Sequence, residues 1–385
     1  MNNWIIENHF DTLDWLAHSG IRREDGGYFS EYDPKKKRFS CWGEGQSCTL
    51  STAGAILAFL CYQKYIDKAI VSGEHLLSLI IEHSHKYHGL IPSGMNSKTS
   101  RCYASAIACQ ALLKLFEFTK DKKYYEACLV ISDAIIENMI RKDGSIRREI
   151  VIRPGFNFRY FLNLLKPVFL WDLESFLIFK ELYNYTKKQK YLHAYKKIIY
   201  WAHRNINNDA TIYFGKINIP FILYLSTEKS WSETKANFKG WFTRFHPTAL
   251  TALLKTYLDF KRIKEANKLA MWLKNHIGPN GLLFQWYYTD EEHSEEEDVM
   301  PTAQFGLILM ENKDKFSKEL EPYLDIIYKG LLTAKIKDKE KNIYASYKGL
   351  PFDKRRGHKT FTWDTAYALL FFYEYHKRRK LEVER

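Results

Sequence analysis

Long apolar runs are missing from this chain of 385 residues: no uncharged apolar stretch approaches the ~18 residues that a membrane-spanning helix needs. The first residues, Met1-Asn-Asn-Trp-Ile-Ile, carry no basic segment followed by an apolar one. No secretory signal is therefore expected, and the expected location is the cytoplasm. Cysteine is sparse, with six residues at 41, 48, 61, 102, 109 and 128, and no Cys-x-x-Cys pair. That spacing excludes a zinc finger and predicts reduced thiols, with Cys61, Cys109 and Cys128 in helical apolar patterns. Gly-x-Ser-x-Gly, glycine-rich phosphate loops and His-Glu-x-x-His are absent, as are Asp-rich diphosphate motifs on a helix face. No metal or cofactor is expected.

What remains is a chain rich in core-forming and aromatic residues. It is 46% hydrophobic and 16% aromatic, with ten Trp and 26 Tyr. Trp and Tyr offer a flat apolar face with a polar handle, which suits sugars as well as interfaces. The net charge of +13 is large, but many lysines fall in short turns such as Lys120-Asp-Lys-Lys123 and Lys187-Lys-Gln-Lys190. Solvated turn lysines say little about partners, so charge alone does not predict a nucleic-acid surface.

One stretch sets the plan of the chain. Pro247 suits the first position of a helix, and Leu250, Leu253, Leu254, Tyr257 and Leu258 follow at helical spacing, with alanines between them. The Thr248-Ala249 pair at its start returns as Thr52-Ala53, Ser105-Ala106, Thr302-Ala303 and Thr365-Ala366. Aligning Phe118-Thr119-Lys120 with Tyr185-Thr186-Lys187 places Asp172-Leu173 in the sixth copy. Copies about 50–75 residues apart are an internal repeat.

Helices are predicted at about 3–18, 52–65, from there through about His83, and at 103–118, 122–140, 171–185 and 189–205. More are predicted at 247–260, 263–276, 301–311, 316–334 and 361–378. The connection inside each pair is short. The connection to the next pair is long and begins with a turn such as Asp25-Gly26, His88-Gly89, Asp143-Gly144 or Asn280-Gly281. Alternation in Ile146 to Ile152 predicts a short strand in one such loop. Five pairs and a last helix leave the N-terminal helix as the missing partner. The expected fold is all-α, an (α/α)6 toroid of six hairpins forming a single domain over residues 1–385, with all long loops on one face. Inner-helix N-termini converge there and favour anionic ligands.

This architecture resembles the six-hairpin toroid superfamily of carbohydrate-active enzymes. That group includes unsaturated glucuronyl hydrolases, uronate polysaccharide lyases, N-acylglucosamine 2-epimerases and glucuronyl C5-epimerases. The resemblance covers essentially the whole chain and implies acid–base chemistry on a saccharide, with no residue role carried over.

Candidate residues are those at the long-loop face. Asp172 (Leu-Trp-Asp) and Asp364 (Thr-Trp-Asp) each follow a Trp at an inner-helix start, in repeats three and six. They are expected to face each other as general acid and base, although aspartate also favours helix N-caps. Glu44, in a glycine-flanked loop beside Trp42, is a further acid–base candidate, set against an ordinary solvated Glu. His246 and Tyr103 are candidate proton carriers; capping and core packing are the alternative roles. Arg101 and Arg244 can clamp an acidic group. Trp42, Trp241, Trp363 and Lys359 are expected to bind substrate, Trp286 and Tyr287 to line the walls, and Asp298 to enter the site from the end of an otherwise solvated acidic run. The expected partner is an acidic, uronate-containing saccharide, acted on by hydrolysis, elimination or epimerisation. The alternative is a non-catalytic toroid that binds a glycan or a protein.

Overall fold

The computed structural model describes residues 9–33, 36–41, 45–147, 149–153, 176–204, 247–284, 287, 293, 297–338, 343–347 and 360–383. Its helices alternate between inner and outer positions. The inner ones are α2 (Thr49–Tyr62), α4 (Cys102–Thr119), α6 (Leu177–Thr186), α8 (Pro247–Asp259), α10 (Val299–Glu311) and α12 (Thr362–Val383). The outer ones are α1 (Phe10–His18), α3 (Ile66–Ser78), α5 (Lys122–Asn138), α7 (Gln189–Arg204), α9 (Ile263–Asn275) and α11 (Tyr323–Thr333).

Burial separates the two sets. In α2, nine side-chain positions from Thr49 to Phe59 are buried around most of the helix, whereas α3 buries only Ala69, Ser72, Gly73, His75 and Leu76 on one stripe. Helices covered on all sides must be small where they cross. Gly54 of α2 faces the Ala366 methyl of α12, and a Cβ there would come within 3.1 Å of it.

The ring closes. Inner helices pack α2 on α4, α4 on α6, α8 on α10, α10 on α12 and α12 back on α2. Lys180 of α6 reaches Asp259 of α8 at 2.5 Å. At the seam, His9 stacks on Phe372 of α12 with ring centroids 4.1 Å apart. Strand β1 (Glu31–Asp33) lies between β2 (Arg38–Ser40) and β7 (Thr360–Phe361), so the first long loop is hydrogen-bonded to the residues that open the last helix. Thr362 adds two bonds, N–H to the Ser30 carbonyl at 3.0 Å and Oγ1 to the Phe29 carbonyl at 2.7 Å.

The repeated Thr/Ser has a specific task. Thr52 Oγ1 donates to the Cys48 carbonyl and accepts the Tyr28 N–H at 3.1 Å. Thr302 Oγ1 donates to the Asp298 carbonyl and accepts the Leu283 N–H at 2.8 Å. Ser105 and Thr365 make the same bond to the carbonyl four residues back. The hydroxyl thus ties the long loop, just past its glycine turn, to the first turn of an inner helix. That satisfies a loop N–H that burial would otherwise leave unpaired.

The glycine turns attach to the next outer helix. Gly144 has φ +95°, and a Cβ there would meet the Lys197 carbonyl of α7 at 2.3 Å. Gly26, Gly89 and Gly281 likewise lie against backbone carbonyls of α3, α5 and α11. At the opposite end, three outer helices begin with a Lys-Tyr pair whose lysine grips an acid of the preceding outer helix. Lys64 binds Asp14 at 2.9 Å, Lys123 binds Glu74 at 2.9 Å and Lys190 binds Asp133 at 2.6 Å.

Three expectations need correction. Helix α3 stops at Ser78 rather than His83, because Ile81 turns its backbone to Leu90 and Gly89. The helix expected over 316–334 is broken into 3-10 turns at Lys313–Lys315 and Lys318–Leu320 before α11, where Pro322 lacks the N–H needed to carry a helix through. Glu297, placed by sequence in a solvated acidic run, is buried and accepts both the N–H and the side-chain amide of Asn280. The strand expected near 146–152 is β4 (Glu149–Val151), paired antiparallel with β3 (Thr99–Arg101). Among the described residues, no helix is long and apolar enough to cross a membrane.

Candidate active site

Two aspartates come together on the long-loop face. Asp298 ends β6 (Glu297–Asp298), which pairs with β5 (Leu283–Phe284), and is the N-cap of α10. Its Oδ1 accepts the Met300 N–H at 3.3 Å. Asp364 sits in the first turn of α12, the neighbouring inner helix, and is 3% exposed. The Met300 N–H faces this carboxyl too.

Their environment keeps protons on them. Burial pushes Asp298 up to about 7, and only the Met300 N–H restrains it. Burial pushes Asp364 well above the usual carboxylate range, and the charge of Asp298 pushes it further. Two buried carboxyls this close cannot both ionise at neutral pH, so they titrate as a unit that holds a proton and can give it up. Asp298 is partly exposed as a residue but its carboxyl is buried, and Asp364 is buried outright.

The facing wall comes from repeat two. The Tyr103 hydroxyl, in the first turn of α4, points at the Met300 sulfur at 3.8 Å, which brings α4 and α10 together across the ring next to the aspartates. Thr251 of α8 reaches the buried Gln304 of α10 at 3.2 Å. Trp363 stacks on Phe361 at 4.8 Å and is half-buried.

Arg101 lies 3.6 Å from Glu149, across the β3–β4 pair. Tyr287 does not line a wall: it is fully buried, accepts the Phe284 N–H and donates to the His276 carbonyl at 2.8 Å. Asp172, His246, Glu44, Arg244, Trp42, Trp241, Lys359 and Trp286 lie outside the described residues. The expected partner of Asp364 was Asp172, across the ring. Among the described residues the carboxyl beside Asp364 is Asp298, from the adjacent repeat, and the pairing with Asp172 lies outside them.

A second polar array was not anticipated. Ser47 Oγ meets His75 Nε2 at 3.1 Å, and His75 Nδ1 lies 3.6 Å from Asp25 Oδ1. The order resembles a nucleophile triad, yet Ser47 is 2% exposed and its Oγ already accepts the Met95 N–H at 3.1 Å. No substrate reaches it. Burial lowers the His75 pKa, leaving a neutral ring that bridges the Asp25-Gly26 turn, the Ser47 loop and the Met95 loop to α3. Among the described residues, no three His, Cys, Asp or Glu side chains gather as a metal-binding set.

Comparison with solved structures bears on the fold. A cellobiose 2-epimerase from Bacillus thermoamylovorans B4167 superposes with a TM-score of 0.67 at 12% identity, covering 98% of this chain and 100% of that one. An unsaturated glucuronyl hydrolase specific for heparin gives 0.64 at 12% identity, with 99% of each chain covered. An α-amylase from Clostridium perfringens gives 0.64 at 15%, over 97% of this chain and 98% of the other. The chain is an (α/α)6 toroid. No curated protein matches it. A Mago-binding family model matches residues 133–157. Its described part is the end of α5 with its turn and β4, and Ile135, Met139, Ile146 and Ile150 are built into the core.

Proposed function

We propose that this toroid is a carbohydrate-active enzyme, working as a single domain on an anionic, uronate-containing saccharide by acid–base chemistry at the inner-helix N-termini. The observation that carries the proposal is the Asp298–Asp364 pair, which retains a proton near neutral pH at the rim where six hairpins converge. A carboxyl of raised pKa is what a general acid at a glycosidic oxygen requires. Its conjugate base is equally suited to abstracting a proton beside a uronate carboxyl. Asp298 touches the substrate, and Asp364 sets its proton affinity. Tyr103, across Met300, is placed to contact the same sugar.

Neighbouring folds support the general kind, since those superposed include a hydrolase specific for heparin and an epimerase of cellobiose. Convergent helix N-termini favour an acidic sugar over a neutral one. The test is a panel of uronate-containing and neutral oligosaccharides, followed for new reducing ends and for the absorbance of an unsaturated product. Turnover confined to the uronate members is the expected result. Saturable binding without turnover across the panel would replace the enzyme with a glycan-binding toroid.

A further inference from the structure

The inner helices finish at the end of the ring opposite the aspartates, and three consecutive repeats carry the same two features there. Phe118 in the last turn of α4, Tyr185 in the last turn of α6 and Phe260 just past α8 are 47%, 45% and 40% exposed. Lys120, Lys187 and Lys261 follow within two residues, each exposed and each with a left-handed backbone, at φ +62°, +56° and +56°. A single exposed aromatic is ordinary, but matched aromatics on three adjacent repeats form a row. The row is held in place. The Tyr185 hydroxyl binds Glu117 of α4, Lys180 of α6 binds Asp259 of α8, and Tyr195 of α7 stacks on Phe260 at 6.0 Å.

The fold itself requires neither feature. Glycine fills a left-handed helix cap without steric cost, and a lysine elsewhere in the last turn would serve the helix dipole equally well. The nearby carboxylates are already held: Glu117 by Lys114 at 2.6 Å and by Tyr185, Asp259 by Lys180 at 2.5 Å and by Tyr195, and Asp121 by Lys123 at 3.0 Å. Lys120 feels the Glu117 charge and Lys187 lies 5.8 Å from the Tyr183 ring, yet none of the three cap lysines closes an ion pair with a described carboxylate. We propose that this arc holds an acidic polysaccharide, with the apolar faces of its sugars on Phe118, Tyr185 and Phe260 and its carboxylates beside Lys120, Lys187 and Lys261. The inference rests on the anionic saccharide proposed for the rim and adds that this substrate is a polymer, held at a second surface. Neighbouring inner helices lie ~8–10 Å apart, so the aromatic platforms repeat with a period that suits a chain of regular units. A second copy of this protein would set lysine against lysine, which repulsion opposes. Fifteen residues of α4 separate Tyr103 from Phe118, about 22 Å at ~1.5 Å per residue, so a polymer held here leaves the rim open.

The experiment is affinity electrophoresis of the full chain through gels containing polygalacturonate, dextran or single-stranded poly-deoxythymidylate. Retardation by polygalacturonate above both others is expected. Lys120→Gly/Lys187→Gly/Lys261→Gly suits the left-handed caps, so it should fold, and its Kd for polygalacturonate should rise roughly 10-fold or more. Phe118→Ala/Tyr185→Ala/Phe260→Ala should weaken binding by a similar factor, while both triple variants turn over a short uronate oligosaccharide as the wild type does. The inference is overturned if dextran or poly-deoxythymidylate retards the chain as strongly, if either folded triple variant binds polygalacturonate as the wild type does, or if the glycine variant loses turnover of the short oligosaccharide. Absence of turnover in the wild type, with arc-dependent binding of polygalacturonate intact, would refute the enzyme at the rim and uphold the arc.

Discussion

The hydroxyl of Thr302 accepts the N–H of Leu283 at 2.8 Å while giving its proton to the Asp298 carbonyl, so one side chain fixes both the long loop and the helix start that presents Asp298. Replacing Thr302 by Val keeps the shape but leaves a fully buried Leu283 N–H without an acceptor. The expected loss is about 1–3 kcal/mol in chemical denaturation, and Thr302→Ser should recover most of it. A Val variant as stable as wild type would show that the hydroxyl has no structural task.

The aspartate pair gives a pH signature. Both carboxyls hold their proton more tightly folded than unfolded. Their contribution to stability is complete below the ordinary aspartate value near ~4, and is lost as pH rises through the folded values, from about 7 for Asp298 upward. Asp364→Asn removes the coupled proton. Its stability relative to wild type should rise between pH 5 and pH 8, measured as the difference between the two proteins so that other groups cancel. A flat difference would mean that Asp364 does not hold its proton more tightly in the folded state than in the unfolded one.

Gly144 combines φ +95° with a carbonyl where its side chain would stand, 2.3 Å from a built Cβ. Gly144→Ala should cost roughly 1–3 kcal/mol, because the left-handed turn and the contact with α7 are strained together. Thermal unfolding checks this, with an alanine at the exposed Lys142 as the neutral control.

Ser47→Ala separates a buried tether from a nucleophile. With His75 Nε2 and the Met95 N–H losing their partner, stability should fall by about 1–3 kcal/mol while turnover on the saccharide substrate persists. Loss of turnover in a folded Ser47→Ala protein would return the Ser47–His75–Asp25 array to the chemistry.

Much of the architecture is written in repeated residues. The Thr/Ser-Ala pair marks inner-helix starts, and the glycine turns mark the loop face, because each is a local solution to a backbone problem that recurs around the ring. The N-terminal helix could be assigned to the seam by counting, and the His9–Phe372 stack places it there. Site pairing was harder to read. Asp364 stands out through the Trp before it, and chain order already makes repeat five its ring neighbour, but how far each N-cap projects has no sequence signal. Asp298 was noticed only as the residue near Pro301 that ends an acidic run. The Ser47–His75–Asp25 array joins loops and an outer helix with no shared spacing, so no motif points to it. Glu297 misled for a related reason, since a glutamate in a charged run is usually solvated and only the Asn280 turn draws it inside.

The most direct test of the account is the turnover number of Asp298→Asn and Asp364→Asn on the oligosaccharide that wild type consumes, with binding measured in parallel. An asparagine keeps the shape and cannot hold the exchangeable proton, so both variants should lose about 10²–10⁴-fold in kcat with the sugar still bound. Wild-type turnover in either variant would contradict the assignment of acid–base chemistry to this pair.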